Sequence, residues 1–258
     1  MYSKTLITSL LLFCLSCNNS ASALEYPQIT KADTAFKNIY PAISAIPLPM
    51  GYHRLVCAEG SFGQWLREIH LKQSKTVYKF DGGPKDWQGA QFAVMDISTG
   101  NKDLQQCADA VMRLRAEYLF SKKRFDSIIF SDNDKHPYQF TKPYDHDHLM
   151  NYLQKVFGMC GTASLEKQLT QAEVNNIVAG NVFIRGVFPG HAVIVMDVAF
   201  NEKGQKICLL AQSFMPAQDM HVLKNPVDNG LSPWILVTDK EIIETPEYTF
   251  RKNELKQW

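Results

Sequence analysis

Three residues that lie far apart in the sequence carry the side chains that nucleophilic thiol chemistry requires: Cys107, His191 and Gln212. In such chemistry a thiolate attacks a carbonyl carbon, and an imidazole first removes the proton of the thiol. A polar side chain then holds the imidazole in the correct orientation and tautomer. Their types therefore predict Cys107 as nucleophile, His191 as general base and acid, and Gln212 as the residue that orients His191.

The predicted elements around these residues are compatible with this chemistry. Apolar residues recur every three or four positions over 103–120, which predicts a helix with Cys107 near its start. A helix N-terminus favours a thiolate because the helix dipole is positive there. Alternating patterns predict strands over 192–198 and 206–213, so His191 opens one strand and Gln212 lies on the next. Neighbouring antiparallel strands can present both side chains on one face.

A complete thiol site also needs donors for the oxyanion, and here the sequence leaves alternatives open. The backbone N–H of Cys107 is one candidate donor, and Gln105 or Gln106 is the possible second one. Cys160 is an alternative nucleophile, because it precedes Gly161 and the start of another predicted helix. The structural alternative for both cysteines is a small buried core residue.

Other polar clusters allow further interpretations. The sequence Asp-His-Asp-His over 145–148 is capable of metal ligation, but it equally fits a solvated turn that caps a helix. Because no third His-rich or Cys-rich element accompanies it, we predict neither a metal nor a cofactor. His221 is an alternative base or orienting residue if the strand register differs, and Trp87 is the best candidate for an exposed ligand contact.

The composition is that of an ordinary globular protein. The 258 residues are 45% hydrophobic and carry a formal net charge of +1. No basic excess is present to neutralise phosphates, so nucleic acid is not an expected partner. The order of predicted elements, helices first and an antiparallel sheet afterwards, predicts an α+β fold.

The first residues predict export. Lys4 and the apolar run 6–15 form a signal segment that is too short to span a bilayer as a stable helix. The signal comprises either 1–17, with Cys17 lipidated, or 1–23. Residues 18–49 are then a tether and lead-in, and 50–258 a single α+β domain. We therefore expect a periplasmic or outer-membrane lipoprotein of a Gram-negative bacterium, which contacts the membrane only through its N-terminal lipid.

Two resemblances extend this interpretation. The segments 104–118, 189–195 and 210–219 are similar to the signatures of an uncharacterised exported bacterial family found in Bacteroides-like genomes, which implies no known activity. The order of a helix cysteine, a Gly-Asn-Val-Phe strand, Gly-His-Ala-Val-Ile-Val and a polar residue on the next strand resembles NlpC-type and CHAP-type papain-like peptidases and amidases. Those enzymes are exported and cut peptidoglycan.

The papain-like resemblance implies a papain-like core and a thiol hydrolase that acts on cell-wall peptide or another amide. The chain departs from that pattern in two ways: Cys107 follows two glutamines, and an insertion, assigned to 126–148, separates it from His191. The alternative from another class is a non-catalytic cell-envelope binding lipoprotein with the same fold.

Overall fold

The computed structural model describes residues 37–238 and 240–258, which belong to one compact unit. The predicted lipidation site Cys17 and both predicted signal segments lie outside the described residues. Within the described ranges no helix is long and apolar enough to cross a membrane. The α-helices of this part are α1 (Phe62–Arg67), α2 (Cys107–Ser121), α3 (His146–Met159) and α4 (Thr162–Gln168).

The strands form one large antiparallel sheet and two small hairpins. The strands of the described part are β1 (Tyr52–Arg54), β2 (Gln91–Val94), β3 (Ile129–Ser131), β4 (Pro137–Gln139), β5 (Thr170–Gln171), β6 (Val182–Arg185), β7 (His191–Asn201), β8 (Lys206–Gln212), β9 (His221–Leu223), β10 (Ile235–Leu236), β11 (Ile242–Glu244), β12 (Thr249–Arg251) and β13 (Leu255–Gln257). The large sheet has the order β2-β9-β8-β7-β6-β13-β5, with β1 added to β7 and β10 to β8. The hairpins are β3-β4 and β11-β12.

Strand β7 is buried on both faces, which explains its nearly unbroken apolar sequence. Ala192 and Ile194 belong to the larger core cluster, to which α2 also contributes. Val193 and Val195 belong to a second cluster on the opposite face, together with Phe250 of β12. Because side chains alternate along a strand, the two faces of β7 serve two separate cores.

The predicted α+β class is confirmed, since helices and an antiparallel sheet are both present. The strands predicted over 192–198 and 206–213 correspond to β7 and β8. Residues 76–80 alternate in the manner of a β-strand, which predicts a further strand. They form only isolated bridges, from Tyr78 to Pro84 and from Lys79 to Gln218. The turn chemistry of 81–84 brings these backbones together, but too few consecutive pairs follow to form a ladder.

Packing against the core begins before residue 50, the expected start of the domain. Ile43 and Ile46 are fully buried, and Lys37 already forms a bridge with Ser74. The Trp234 indole also donates a hydrogen bond of 2.8 Å to the carbonyl of Pro47. The described part of the lead-in is therefore integrated into the fold by apolar burial and backbone pairing.

A buried carboxylate fastens β1 and α1 to β7. Asp197 is completely buried, and its two oxygens accept from Arg54 at 2.7 Å and from Arg67 at 2.6 Å. It lies where the register of β7 against β8 shifts, and one oxygen also accepts from the main-chain N–H of Val198 at 2.8 Å. Each arginine donates in addition to a main-chain carbonyl, Arg54 to Ile46 and Arg67 to Leu55.

We expect Asp197→Ala to lower the free energy of unfolding by about 3 kcal/mol, because it leaves two partly buried guanidinium groups without their carboxylate. Urea denaturation followed by circular dichroism measures this loss. Asp86→Ala is the matched control: Asp86 is 97% exposed, its pair with Lys79 spans 3.5 Å, and its loss should cost less than about 1 kcal/mol. Equal losses in the two variants would contradict this account of Asp197.

Candidate active site

Helix α2 begins at Cys107, four residues later than the periodicity predicts. The reason lies at the N-cap, where the carboxyl group of Asp109 accepts from the main-chain N–H of Gln106 at 3.0 Å. Asp103 is held outside the helix, because its carboxylate accepts from the main-chain N–H of Ala217 at 2.7 Å. Cys107 therefore occupies the first helical position, where unpaired N–H groups and the helix dipole favour an anion.

The sulfur of Cys107 lies in a closed and largely apolar environment. Cys107 is 8% exposed, and its Sγ is 3.7 Å from the hydroxyl of Thr162 at the start of α4. Burial raises the pKa of the Cys107 thiol, and the nearby carboxyl of Asp109 adds to this. The hydroxyl of Thr162 and the main-chain N–H groups of Ala108 and Ala192 act in the opposite direction. In this closed arrangement the thiol is therefore neutral at pH 7.

His191 and Gln212 are brought together as the strand pattern predicts. They lie on the adjacent strands β7 and β8, and His191 Nε2 is 2.9 Å from Gln212 Oε1. The imidazole packs against the rings of Phe214, Tyr248 and Phe250, with centroid distances between 4.9 and 6.0 Å. Burial lowers the pKa of His191 to about 4, the hydrogen bond to Gln212 opposes this, and the charge of Lys85 adds to it.

Cys107 and His191 are neighbours through the main chain and are not joined by a hydrogen bond in the described part of the protein. The sulfur lies beside the main-chain N–H of Ala192, the residue that follows His191. Ala192 faces the core that contains α2, whereas the His191 ring packs with Phe250 of the second core. Because side chains alternate along β7, those of His191 and Ala192 lie on opposite faces at the start of this strand.

Gln212 belongs to a buried polar network with Glu247, Lys85 and His221, which the sequence analysis did not predict. Glu247, in the turn between β11 and β12, accepts from Gln212 Nε2 at 2.7 Å and from Lys85 Nζ at 2.5 Å. Gln212 Nε2 also lies 3.4 Å from Nε2 of His221, the first residue of β9. No spacing could have linked Lys85 to Glu247, because 162 positions separate them in sequence. His221 is the residue that the sequence allows as an alternative base. Burial lowers the pKa of its imidazole to about 3.

The side chains proposed as oxyanion donors are directed elsewhere. The amide oxygen of Gln105 accepts from Arg113 at 3.0 Å, and its amide nitrogen lies 3.5 Å from the carbonyl of Ser98. Gln106 donates to the carboxylate of Asp103 at 2.9 Å. In this arrangement the donors beside the Cys107 sulfur are the hydroxyl of Thr162 and the main-chain N–H groups of Ala108 and Ala192.

The alternative nucleophile Cys160 ends α3, and Gly161 is the N-cap of α4. Cys160 is 6% exposed, and burial raises the pKa of its thiol to about 11. These surroundings are those of a core cysteine. All four cysteines of the described part, Cys57, Cys107, Cys160 and Cys208, are free.

The Asp-His-Asp-His segment starts a helix. Asp145 is the N-cap of α3, and its carboxylate accepts from the main-chain N–H of His148 at 2.7 Å. His146 lies 2.9 Å from Glu117 of α2. In residues 37–238 and 240–258 no group of three or more His, Cys, Asp or Glu residues is arranged to hold a metal ion.

Trp87 is 41% exposed, and Lys85 Nζ lies 5.8 Å from its ring centroid.

The turn before His191 packs tightly on the start of α4. A Cβ atom on Gly186 would lie 2.8 Å from the Cα of Ala163, and one on Gly190 would lie 2.9 Å from the Arg185 carbonyl. The hydroxyl of Tyr248 donates to the Pro189 carbonyl at 2.5 Å and so fastens the turn to the turn between β11 and β12. Thr162 contacts the Cys107 sulfur, and its Cβ would lie 3.5 Å from a Cβ atom on Gly190.

The chain belongs to the family described as Domain of unknown function (4846), whose model matches residues 43–146 and 132–257. The membership in an uncharacterised domain family that the sequence predicts is thereby confirmed. No curated protein and no solved structure matches this chain.

Proposed function

We propose that this protein is an exported thiol hydrolase with a papain-like core, in which Cys107 is the nucleophile, His191 the base and Gln212 its orienting partner. The observation that carries the proposal is the His191–Gln212 hydrogen bond of 2.9 Å at the start of β7. The main-chain N–H of the following residue, Ala192, lies beside the sulfur of Cys107 at the N-terminus of α2. A helix with an N-terminal cysteine, packed on an antiparallel sheet, is what the papain-like resemblance implies.

In the reaction, Nδ1 of His191 takes the thiol proton and the sulfur attacks the carbonyl carbon of an amide. An S–C bond forms, the C–N bond breaks, and the leaving amine takes the proton from the imidazolium. Water then hydrolyses the thioester, which releases a carboxylic acid and restores the thiol. The main-chain N–H groups at the start of α2 stabilise the oxyanion. For this to occur, the sulfur exchanges its contact with Thr162 for one with His191, and the start of α4 opens.

We propose cell-wall peptide as the substrate class and the periplasm or outer membrane as the location. The predicted signal segment and the predicted lipidation of Cys17 support this placement, since an exported lipid-anchored hydrolase would meet peptidoglycan. The amide bonds of cell-wall peptides have the carbonyl carbon that a thiolate attacks.

A non-catalytic binding protein of the cell envelope is the second candidate. The observation that favours it is the burial of both reactive groups: Cys107 is 8% and His191 3% exposed, and Cys107 is hydrogen-bonded to Thr162. On this alternative the same residues serve packing, and the aromatic side chains around His191 serve recognition.

Incubation of the wild-type protein with peptidoglycan fragments, followed by mass spectrometry, separates the two candidates. If the protein is a hydrolase, new amine and carboxylate products should form, and they should be absent with His191→Ala. Retention of the fragments on immobilised protein without any new product would instead support the binding protein.

A further inference from the structure

The polar groups behind His191 form a continuous buried chain. His221 Nδ1 lies 2.9 Å from the carbonyl oxygen of Asp219, and His221 Nε2 lies 3.4 Å from Gln212 Nε2. Gln212 Nε2 is 2.7 Å from Glu247 Oε2, and Gln212 Oε1 is 2.9 Å from His191 Nε2. His191, Gln212 and His221 are each at most 3% exposed, so the chain makes its hydrogen bonds within the protein.

Two groups at the edge of this chain, the Glu247 carboxylate and the Asp219 carbonyl, can only accept hydrogen bonds. The carboxylate of Glu247 accepts from the Lys85 ammonium at 2.5 Å, so the group of Gln212 that faces it must be the NH₂ donor. The carbonyl of Asp219 requires the proton of His221 to be on Nδ1, which leaves Nε2 as an acceptor. The second N–H of the Gln212 amide therefore faces a lone pair on His221, and all contacts on this side are satisfied.

With its NH₂ group fixed in this way, Gln212 presents only its oxygen to His191. His191 must then carry its proton on Nε2, and its Nδ1 keeps a lone pair. In the described part of the protein no hydrogen-bond partner occupies this Nδ1. A lone pair on Nδ1 is what a base needs to receive a thiol proton, whereas the other tautomer would present an N–H there.

We propose that Glu247, held by Lys85 and assisted by His221, is a positioning residue that fixes the amide of Gln212 and through it the tautomer of His191. The catalytic meaning of this inference rests on the proposed hydrolase function, since a base is needed only if a thiol is deprotonated. The hydrogen-bond direction itself is a property of the folded protein and is measurable without any substrate.

Nitrogen NMR of isotope-labelled histidine tests the inference, with the His191 signals identified by their loss in His191→Gln. The wild type should have His191 protonated on Nε2 at about pH 7. In Glu247→Gln the new amide can either donate or accept, so Gln212 can flip, and we expect at least a third of His191 to carry its proton on Nδ1. Glu244→Gln is the matched control, since Glu244 is an exposed carboxylate in the adjacent strand β11 and should leave the tautomer unchanged.

A wild-type tautomer in folded Glu247→Gln would overturn the inference. If that variant does not fold because Lys85 is left unpaired, Lys85→Met/Glu247→Gln removes the buried charge and permits the same measurement. Failure of the two proposals is distinguishable: a changed tautomer in a protein that cleaves nothing retains the positioning role and refutes the hydrolase. Cleavage by the wild type together with an unchanged tautomer in Glu247→Gln would do the reverse.

Discussion

Cys107→Ala is expected to reduce turnover of a cell-wall peptide by at least about 10³-fold, because it removes the only atom that forms the covalent intermediate. The helix should remain intact, since alanine is the best helix former and the side-chain contact of the thiol, to Thr162, is long at 3.7 Å. Product formation measured by mass spectrometry gives the turnover, and the far-ultraviolet circular dichroism spectrum reports the fold.

Cys160→Ala is the matched control for this variant. Cys160 is as buried as Cys107, but it is the C-cap of α3, whereas Cys107 is the first residue of α2. Its replacement should change stability slightly and leave turnover within about twofold of the wild type. Full activity in folded Cys107→Ala would remove Cys107 from the mechanism, and loss of activity in Cys160→Ala alone would assign the nucleophile to Cys160.

The second large effect is a loss of stability that originates at Asp109 as the pH rises towards about 8. Burial raises the pKa of this carboxyl to about 8, so its folded-state pKa lies well above the ordinary value of 3.8. The folded state holds the proton while the unfolded chain releases it, and stability therefore falls as the pH rises from about 4 to about 8. The slope is about 1.4 kcal/mol per pH unit for one such group.

Two buried histidines act at the acidic side. Burial lowers the pKa of His191 to about 4 and that of His221 to about 3, so the unfolded chain takes up protons below about pH 6.5 that the folded state rejects. Their contribution is fully present above about pH 6.5 and is lost as the pH falls towards these folded-state values. Together with Asp109, these groups predict maximal stability near pH 6.5.

Asp109→Asn should abolish the decline between about pH 6.5 and pH 8, because an amide retains the acceptor for Gln106 and does not ionise. Melting temperatures measured across this range test the expectation. Asp147→Asn is the control, since Asp147 is an exposed carboxylate in the first turn of α3 and should leave the profile unchanged. An equally steep decline in Asp109→Asn would assign the alkaline instability to another group.

Local patterns predicted the elements that carry the candidate site. The alternation around His191 and Gln212 gave two neighbouring strands, and these do pair and bring the two side chains to 2.9 Å. The helical spacing of apolar residues after residue 103 predicted α2, but this spacing does not indicate at which residue the helix begins. The start at Cys107 depends on Asp109 and on the tertiary contact from Asp103 to Ala217.

The contacts that the sequence did not predict are those between distant segments. Glu247 lies in a turn near the C-terminal end, and nothing in its local sequence indicates that it accepts from both Gln212 and Lys85. The contact of Thr162 with Cys107 likewise depends on how α4 packs on α2. Such contacts follow from the sheet order, which a single sequence does not specify.

The most direct test of the proposed thiol–imidazole pair is the rate at which iodoacetamide alkylates Cys107 at about pH 7, followed by peptide mass mapping of the wild type and His191→Ala. Cys57 is partly exposed and serves as the internal reference. We expect Cys107 to react in the folded wild type and His191→Ala to slow this reaction at least about tenfold, with Cys57 unchanged. A Cys107 that reacts equally fast in both proteins, or only after unfolding, would contradict the proposed thiol–imidazole pair.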